Sequence, residues 1–168
     1  QRTTYGAMGA AVFSGPVKEE LFEGQALEGK PVAVREVERI DFDPDDGVSP
    51  APGLVGHEHY SVRWTGTVEL AKAGSYDVMA NADDGIRVLL DGKKVLDDWS
   101  DHAPRTTLKT LQLKAGKHQV VVEYYQGILG AIAQFGLGPT LTGESSYGAK
   151  ELDAVLSQAD VTVVCLGF

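Results

Sequence analysis

Cysteine is nearly absent: Cys165 stands alone, so no disulfide can close within the chain and the redox setting stays open. It lies in the apolar run 161–166, where it reads as a small buried hydrophobe rather than a reactive thiol. Positive charge is scarce too. The chain has 15 basic and 24 acidic residues and a net charge of -9, with no stripe of Lys and Arg, which speaks against nucleic acid and anionic membranes as partners. Long hydrophobic runs are missing, since none approaches the roughly 18 to 20 residues that cross a bilayer. The N-terminus lacks a basic-then-apolar signal pattern, so an export signal would have to lie outside this sequence.

What remains is an ordinary globular composition, 43% apolar and 23% charged over 168 residues, enough for one substantial core. From Val17 to about Leu141 the apolar period is two. Tyr60, Val62 and Trp64 alternate with Ser61, Arg63 and Thr65, as a half-buried strand requires. Tyr76, Val78 and Ala80 repeat the pattern, and Ile86, Val88 and Leu90 follow after Asp84-Gly85, which predicts a hairpin. A second Asp-Gly at 91 and 92 turns the chain again, and Ala115-Gly116 separates the runs 108–113 and 118–125. The run 130–137 is rich in Gly and Ala, as in a strand lying against bulkier neighbours. Many short strands with turn signals and no helical stretch favour an antiparallel β-sandwich or barrel. Residues 41–56 break the pattern with three prolines and four acidic residues and read as a surface loop, a common carrier of binding.

Residues 1–16 read as a lead-in. Beyond Thr142 the pattern changes: Leu152, Val155, Leu156 and Ala159 are spaced for an amphipathic helix, with Ser145 or Ser146 as N-cap. The run from Val161 to Leu166 then resembles a strand buried on both faces of an α/β sheet. Three zones result, 1–16, 17–141 and 142–168, and the last predicts that the chain was cut from something larger.

The motifs 60–67, Gly74-Ser75-Tyr76, Asp83-Asp84-Gly85-Ile86-Arg87, Leu90-Asp91-Gly92-Lys93, Asp98-Trp99, Ala115-Gly116-Lys117-His118 and Glu123-Tyr124-Tyr125 occur in the order of the PA-fourteen domain. The chain resembles that β-barrel module over about residues 17 to 140. Its tail, 159–167, is similar to a helix-then-strand segment in the C-terminal α/β domain of glycoside hydrolase family 3, some members of which carry this module as an insert. The two resemblances together imply a segment of a family 3 β-glucosidase. Such a parent would hydrolyse terminal β-linked glucose from oligosaccharides or aryl glucosides, with the module walling the aglycone side and the parent's other domains as partners. They also imply a secreted or periplasmic setting.

A retaining glycosidase needs two carboxyl groups about 5 to 5.5 Å apart. No such pair is identifiable here, so no catalytic residue is assigned; the family resemblance puts both in other parts of the parent. Asp97-Asp98-Trp99 resembles a Ser-Asp-Trp nucleophile motif but fits the module's own Asp-x-Trp pattern. For sugar contact the useful groups are exposed aromatics, whose faces stack on pyranose rings, and acids or amides that bond hydroxyls. Trp99 with Asp101 and His102, and Tyr125 with Gln126, are the candidates, against a reading of Trp99 as a rim residue over the core. Tyr60 and Trp64 are read as core.

Yeast adhesins of the same fold hold calcium on two consecutive aspartates joined by a cis peptide. The resemblance therefore implies Asp83 and Asp84 as candidate calcium ligands and, as an alternative function, a calcium-dependent glycan-binding module. Calcium takes six to eight oxygens, and the loop 126–130 offers only Gln126. The competing reading makes Asp84-Gly85 a hairpin turn with Asp83 accepting backbone N–H bonds, and no other cofactor is implied. His57 and His59 do not by themselves make a zinc site.

Overall fold

A computed structural model describes residues 13–44 and 48–140, which form ten strands. A six-stranded sheet runs in the order β2 (Ala33–Val37), β1 (Val17–Glu23), β4 (Tyr60–Leu70), β9 (Gly116–Gln126), β6 (Ile86–Leu90), β7 (Lys93–Asp98). A four-stranded sheet runs β3 (Asp41–Phe42), β10 (Ile132–Pro139), β5 (Gly74–Asp83), β8 (Arg105–Leu113). Every pairing is antiparallel, as the period-two pattern predicts. No helix occurs among the described residues, and the predicted helix and buried strand of 142–168 lie outside them.

The two sheets share one core. Val62, Trp64, Val122 and Val88 face it from the larger sheet, and Val78, Ala80, Ala133 and Phe135 from the smaller. Phe42 bridges them: its ring centroid lies 5.7 Å from Trp64, 6.0 Å from Tyr124 and 6.3 Å from Tyr60. The loop predicted over 41–56 is thus anchored at its start by a core strand, and Ala51 is buried as well. The lead-in also contributes, because Phe13 bridges to Val68 and its ring packs on Phe135.

One expected connection differs. Asp84-Gly85 is not a hairpin turn, and Ala115-Gly116 is not one either, because β5 and β8 belong to the small sheet while β6 and β9 belong to the large one. Both segments are crossovers between the sheets. Alternating apolar residues specify that a strand has a buried face but not which sheet supplies its neighbour. Asp91-Gly92 is a hairpin turn between β6 and β7, with φ of 50° and 76°, the two positive values that a type I′ turn needs.

His118 ties that turn to the next. Its Nδ1 lies 2.7 Å from Asp91 Oδ2, and its Nε2 lies 2.9 Å from the Lys114 carbonyl oxygen. Acceptors at both ring nitrogens favour the doubly protonated imidazole. The Lys114 carbonyl first, and then the Asp91 carboxylate, hold its pKa above the ordinary value. A pKa raised on folding contributes stability that is full below the unfolded value near 6.5 and is lost as pH rises through the higher folded value. Asp91 is more than half exposed, so solvent screens its share. His118→Gln is expected to cost about 1 kcal/mol near pH 6 and markedly less near pH 9. Urea unfolding at the two pH values checks this, and equal losses would show that the ring's charge contributes nothing.

Candidate functional site: the loop end around Asp84

The crossover from β5 to β6 stands at the centre of one end of the sandwich. The Asp83-Asp84 peptide is cis. Asp84 is 6% exposed, and its carboxylate clasps two loops: Oδ1 accepts the His102 N–H at 3.0 Å and Oδ2 accepts the Gly127 N–H at 2.8 Å. The Asp84 side chain thus takes backbone bonds of the kind expected for its neighbour Asp83. Gly127 allows the approach, since a Cβ there would begin 2.8 Å from Asp84 Oδ2. Gly85 is equally constrained, because its Cβ would fall 2.1 Å from Tyr125 Cε1.

Two further residues hold the loop over 126–131, and neither carried a sequence signal. Glu58 accepts the Leu129 N–H at 3.2 Å, and the His59 N–H donates to the Gly127 carbonyl at 3.0 Å. His57 and His59 precede β4 in a loop and lie on no strand face. Leu129 has a φ of 70° and is 77% exposed, which makes the loop tip apolar.

The candidate sugar contacts fall into two groups. Trp99, Asp101 and Tyr125 come together: the Tyr125 hydroxyl donates to Asp101 Oδ1 at 2.6 Å, and the Trp99 and Tyr125 rings meet edge to face at 4.9 Å. Arg87 stacks 4.2 Å above the Trp99 ring, so the half-buried indole is braced as well as presented. Tyr125 is only 7% exposed and supports the pair from beneath.

His102 and Gln126 face elsewhere. The His102 ring lies 3.3 Å from Asp98 and 3.0 Å from the Ala103 carbonyl, so its backbone N–H, not its ring, serves the site. Gln126 is fully buried, with Nε2 donating to the Leu129 carbonyl and Oε1 2.6 Å from the Tyr124 hydroxyl. That hydroxyl has one proton between Gln126 and the Asp83 carbonyl, 2.5 Å away.

The electrostatics are negative. Burial first, then the bond to Asp101 and the charges of Asp101, Asp84 and Asp98, push the Tyr125 phenol above its ordinary range. Asp98 is neutralised by Arg105, whose hydrogen bonds hold its carboxyl below the usual value. No ion pair to Asp84 occurs among the described residues, and its carboxylate is held by two backbone N–H groups, with lone pairs left over that a cation could use. In charge the turn therefore fits a calcium ion. Asp83 and Asp84 would be its two carboxylates, and no third His, Cys, Asp or Glu joins them in a metal-sized group among the described residues. The other oxygens would have to be backbone carbonyls, water or ligand hydroxyls.

An open polar cleft of about 370 Å3 lies elsewhere, between Ser14, Thr65, Thr67, Lys117 and Gln119. It brings no acid together with an aromatic ring.

Two facing antiparallel sheets, joined by an aspartate crossover that two loops close over, define an all-β sandwich module. The sequence model of the PA14 domain matches residues 14–150, and the chain belongs to that family. Over 96 residues it is 35% identical to the anti-sigma-I factor RsgI3 of Acetivibrio thermocellus, a match covering 56% of this chain and 15% of that protein. An anti-sigma factor domain-containing protein of known structure matches with 28% identity and a TM-score of 0.68, over 79% of this chain and 44% of the other. The β-glucosidase of Kluyveromyces marxianus in complex with glucose superimposes with a TM-score of 0.69 at 14% identity, covering 92% of this chain and 22% of the enzyme. A PA14 sugar-binding domain from an RTX adhesin gives 0.61 at 21% identity, covering 76% of this chain and 90% of that domain.

These relatives overturn the expectation of a family 3 β-glucosidase segment. The named homologues are anti-sigma factor proteins, and a β-glucosidase at 14% identity shares the fold alone. The chain spans less than half the length of these anti-sigma relatives, 15% of one and 44% of the other.

Proposed function

We propose that this chain is a carbohydrate-recognition module whose site is the loop end around Asp84. The observation that carries the reading is the Asp84 clasp. One buried carboxylate fixes the loops bearing Trp99 and Asp101 on one side and Leu129 on the other, which brings an aromatic ring, an acid and an apolar tip to the same loop end. Preorganised loops lower the ordering cost of binding. Asp83 and Asp101 would accept ligand hydroxyls, and Trp99 would stack on a pyranose ring.

Calcium, if bound, would be held by Asp83 and Asp84 and would supply chelation of vicinal hydroxyls. The adhesin domain described as sugar-binding supports the reading through its shared fold. The anti-sigma-I relative supports a regulatory setting rather than a hydrolytic one.

The test is an amide-shift titration of the 15N-labelled chain with neutral and acidic oligosaccharides, with calcium and after chelation. Shifts centred on Asp84, His102, Gly127 and Leu129 are expected. A panel without binders, or shifts centred on the Lys117 cleft, would overturn the assignment.

A further inference from the structure

The outer face of the small sheet carries a continuous ladder of side-chain hydrogen bonds across all four strands. Gln134 on β10 donates to Asp41 on β3 at 2.8 Å, and Asn81 on β5 donates to Gln134 at 3.0 Å. Thr106 on β8 donates to Asn81 at 3.3 Å. The register places these four residues directly opposite one another. Ala80 and Phe135, their chain neighbours, point into the core, so the ladder lies on the face turned away from it.

The position of this ladder links it to the loop end. Asp83 lies two residues beyond Asn81 on β5, hence on the same face and one row nearer the proposed site. On the other side of the ladder the next row is Gly136, Met79 and Leu108, of which Gly136 and Met79 are buried and Leu108 is 56% exposed. The ladder therefore ends, on β8, beside one exposed apolar side chain. Such a side chain suits the C–H face of a sugar whose hydroxyls lie at the ring edge.

We propose that the ligand is a neutral polysaccharide chain that starts at the Asp84 loops and continues across this face, contacted by Asn81, Gln134 and Thr106. The proposal rests on the sugar-binding reading above. Three inter-strand spacings give the ladder a length of about 14 Å, that of a short oligosaccharide rather than a single ring. Each ladder amide uses one of its two N–H hydrogens in the bonds described, and an amide carries a second for a ligand hydroxyl. The charge favours a neutral chain over an acidic one: Asp41 on the ladder is matched by Arg39 at 3.3 Å, and a net charge of -9 repels anions.

Calorimetric titration of the whole chain with gluco-, xylo- and manno-oligosaccharides of one to six units tests this. Affinity should rise by about tenfold between one unit and four and then level off. The double substitution Asn81→Ala with Gln134→Ala should reduce that rise to less than about twofold. As a check that needs no variant, the six-unit ligands should shift the amides of Asn81, Thr106 and Gln134 where single units do not. Binding without length dependence, or a rise that persists in the double variant, overturns the extended site and leaves the loop-end site standing. Absence of binding by every sugar overturns both.

Discussion

Asp84→Asn is expected to weaken sugar binding by about a hundredfold or more and to lower stability by about 1 to 3 kcal/mol. The carboxylate has an acceptor on each side, one for the His102 N–H and one for the Gly127 N–H. Asparagine offers one oxygen and one NH2 group, so one of the two backbone donors would meet another donor in a buried place. The loop that loses its anchor takes with it either Trp99 and Asp101 or Leu129. Chemical denaturation measures the first effect and sugar titration the second. A variant that binds as well as the parent would show that the clasp does not organise the site, while one that loses binding at unchanged stability would make Asp84 a direct contact.

The second large effect lies in the core. Trp64 is 1% exposed, and its indole N–H donates at 2.8 Å to Glu19 Oε2, a buried carboxylate that Arg35 also pairs. Trp64→Ala is expected to cost about 3 to 5 kcal/mol through the cavity alone. Trp64→Phe keeps most of the bulk but orphans one Glu19 oxygen, for about 1 to 3 kcal/mol. Unfolding of both variants separates packing from polar satisfaction. If the phenylalanine variant were as stable as the parent, the Trp64–Glu19 bond would carry no weight.

Part of this was legible from residue spacing. Trp64 and Tyr60 read as core because they sit at alternate positions with Val62, and the Asp91-Gly92 turn was readable because few residue pairs tolerate two positive φ values in succession. Trp99, Asp101 and Tyr125 were readable as chemistry-bearing types, and they do converge. Gln126 was not readable as buried. It ends a strand whose last residues are covered on both faces, and that cover comes from residues far away in sequence. Glu58 shows the same limit, since its bond to Leu129 joins residues 71 positions apart.

By itself the sequence determined the β character of residues 17–140, most of their strand runs and the core faces, because each follows from interactions within two or three residues. It also determined that the chain is acidic and has no internal disulfide. Only the tertiary structure decided which strands pair, that Asp84-Gly85 crosses between sheets, and that the Asp84 carboxylate closes two loops. Those outcomes depend on apolar faces finding one another across long stretches of chain. Alternation is the same whichever partner is chosen, so the choice belongs to the packing of the whole.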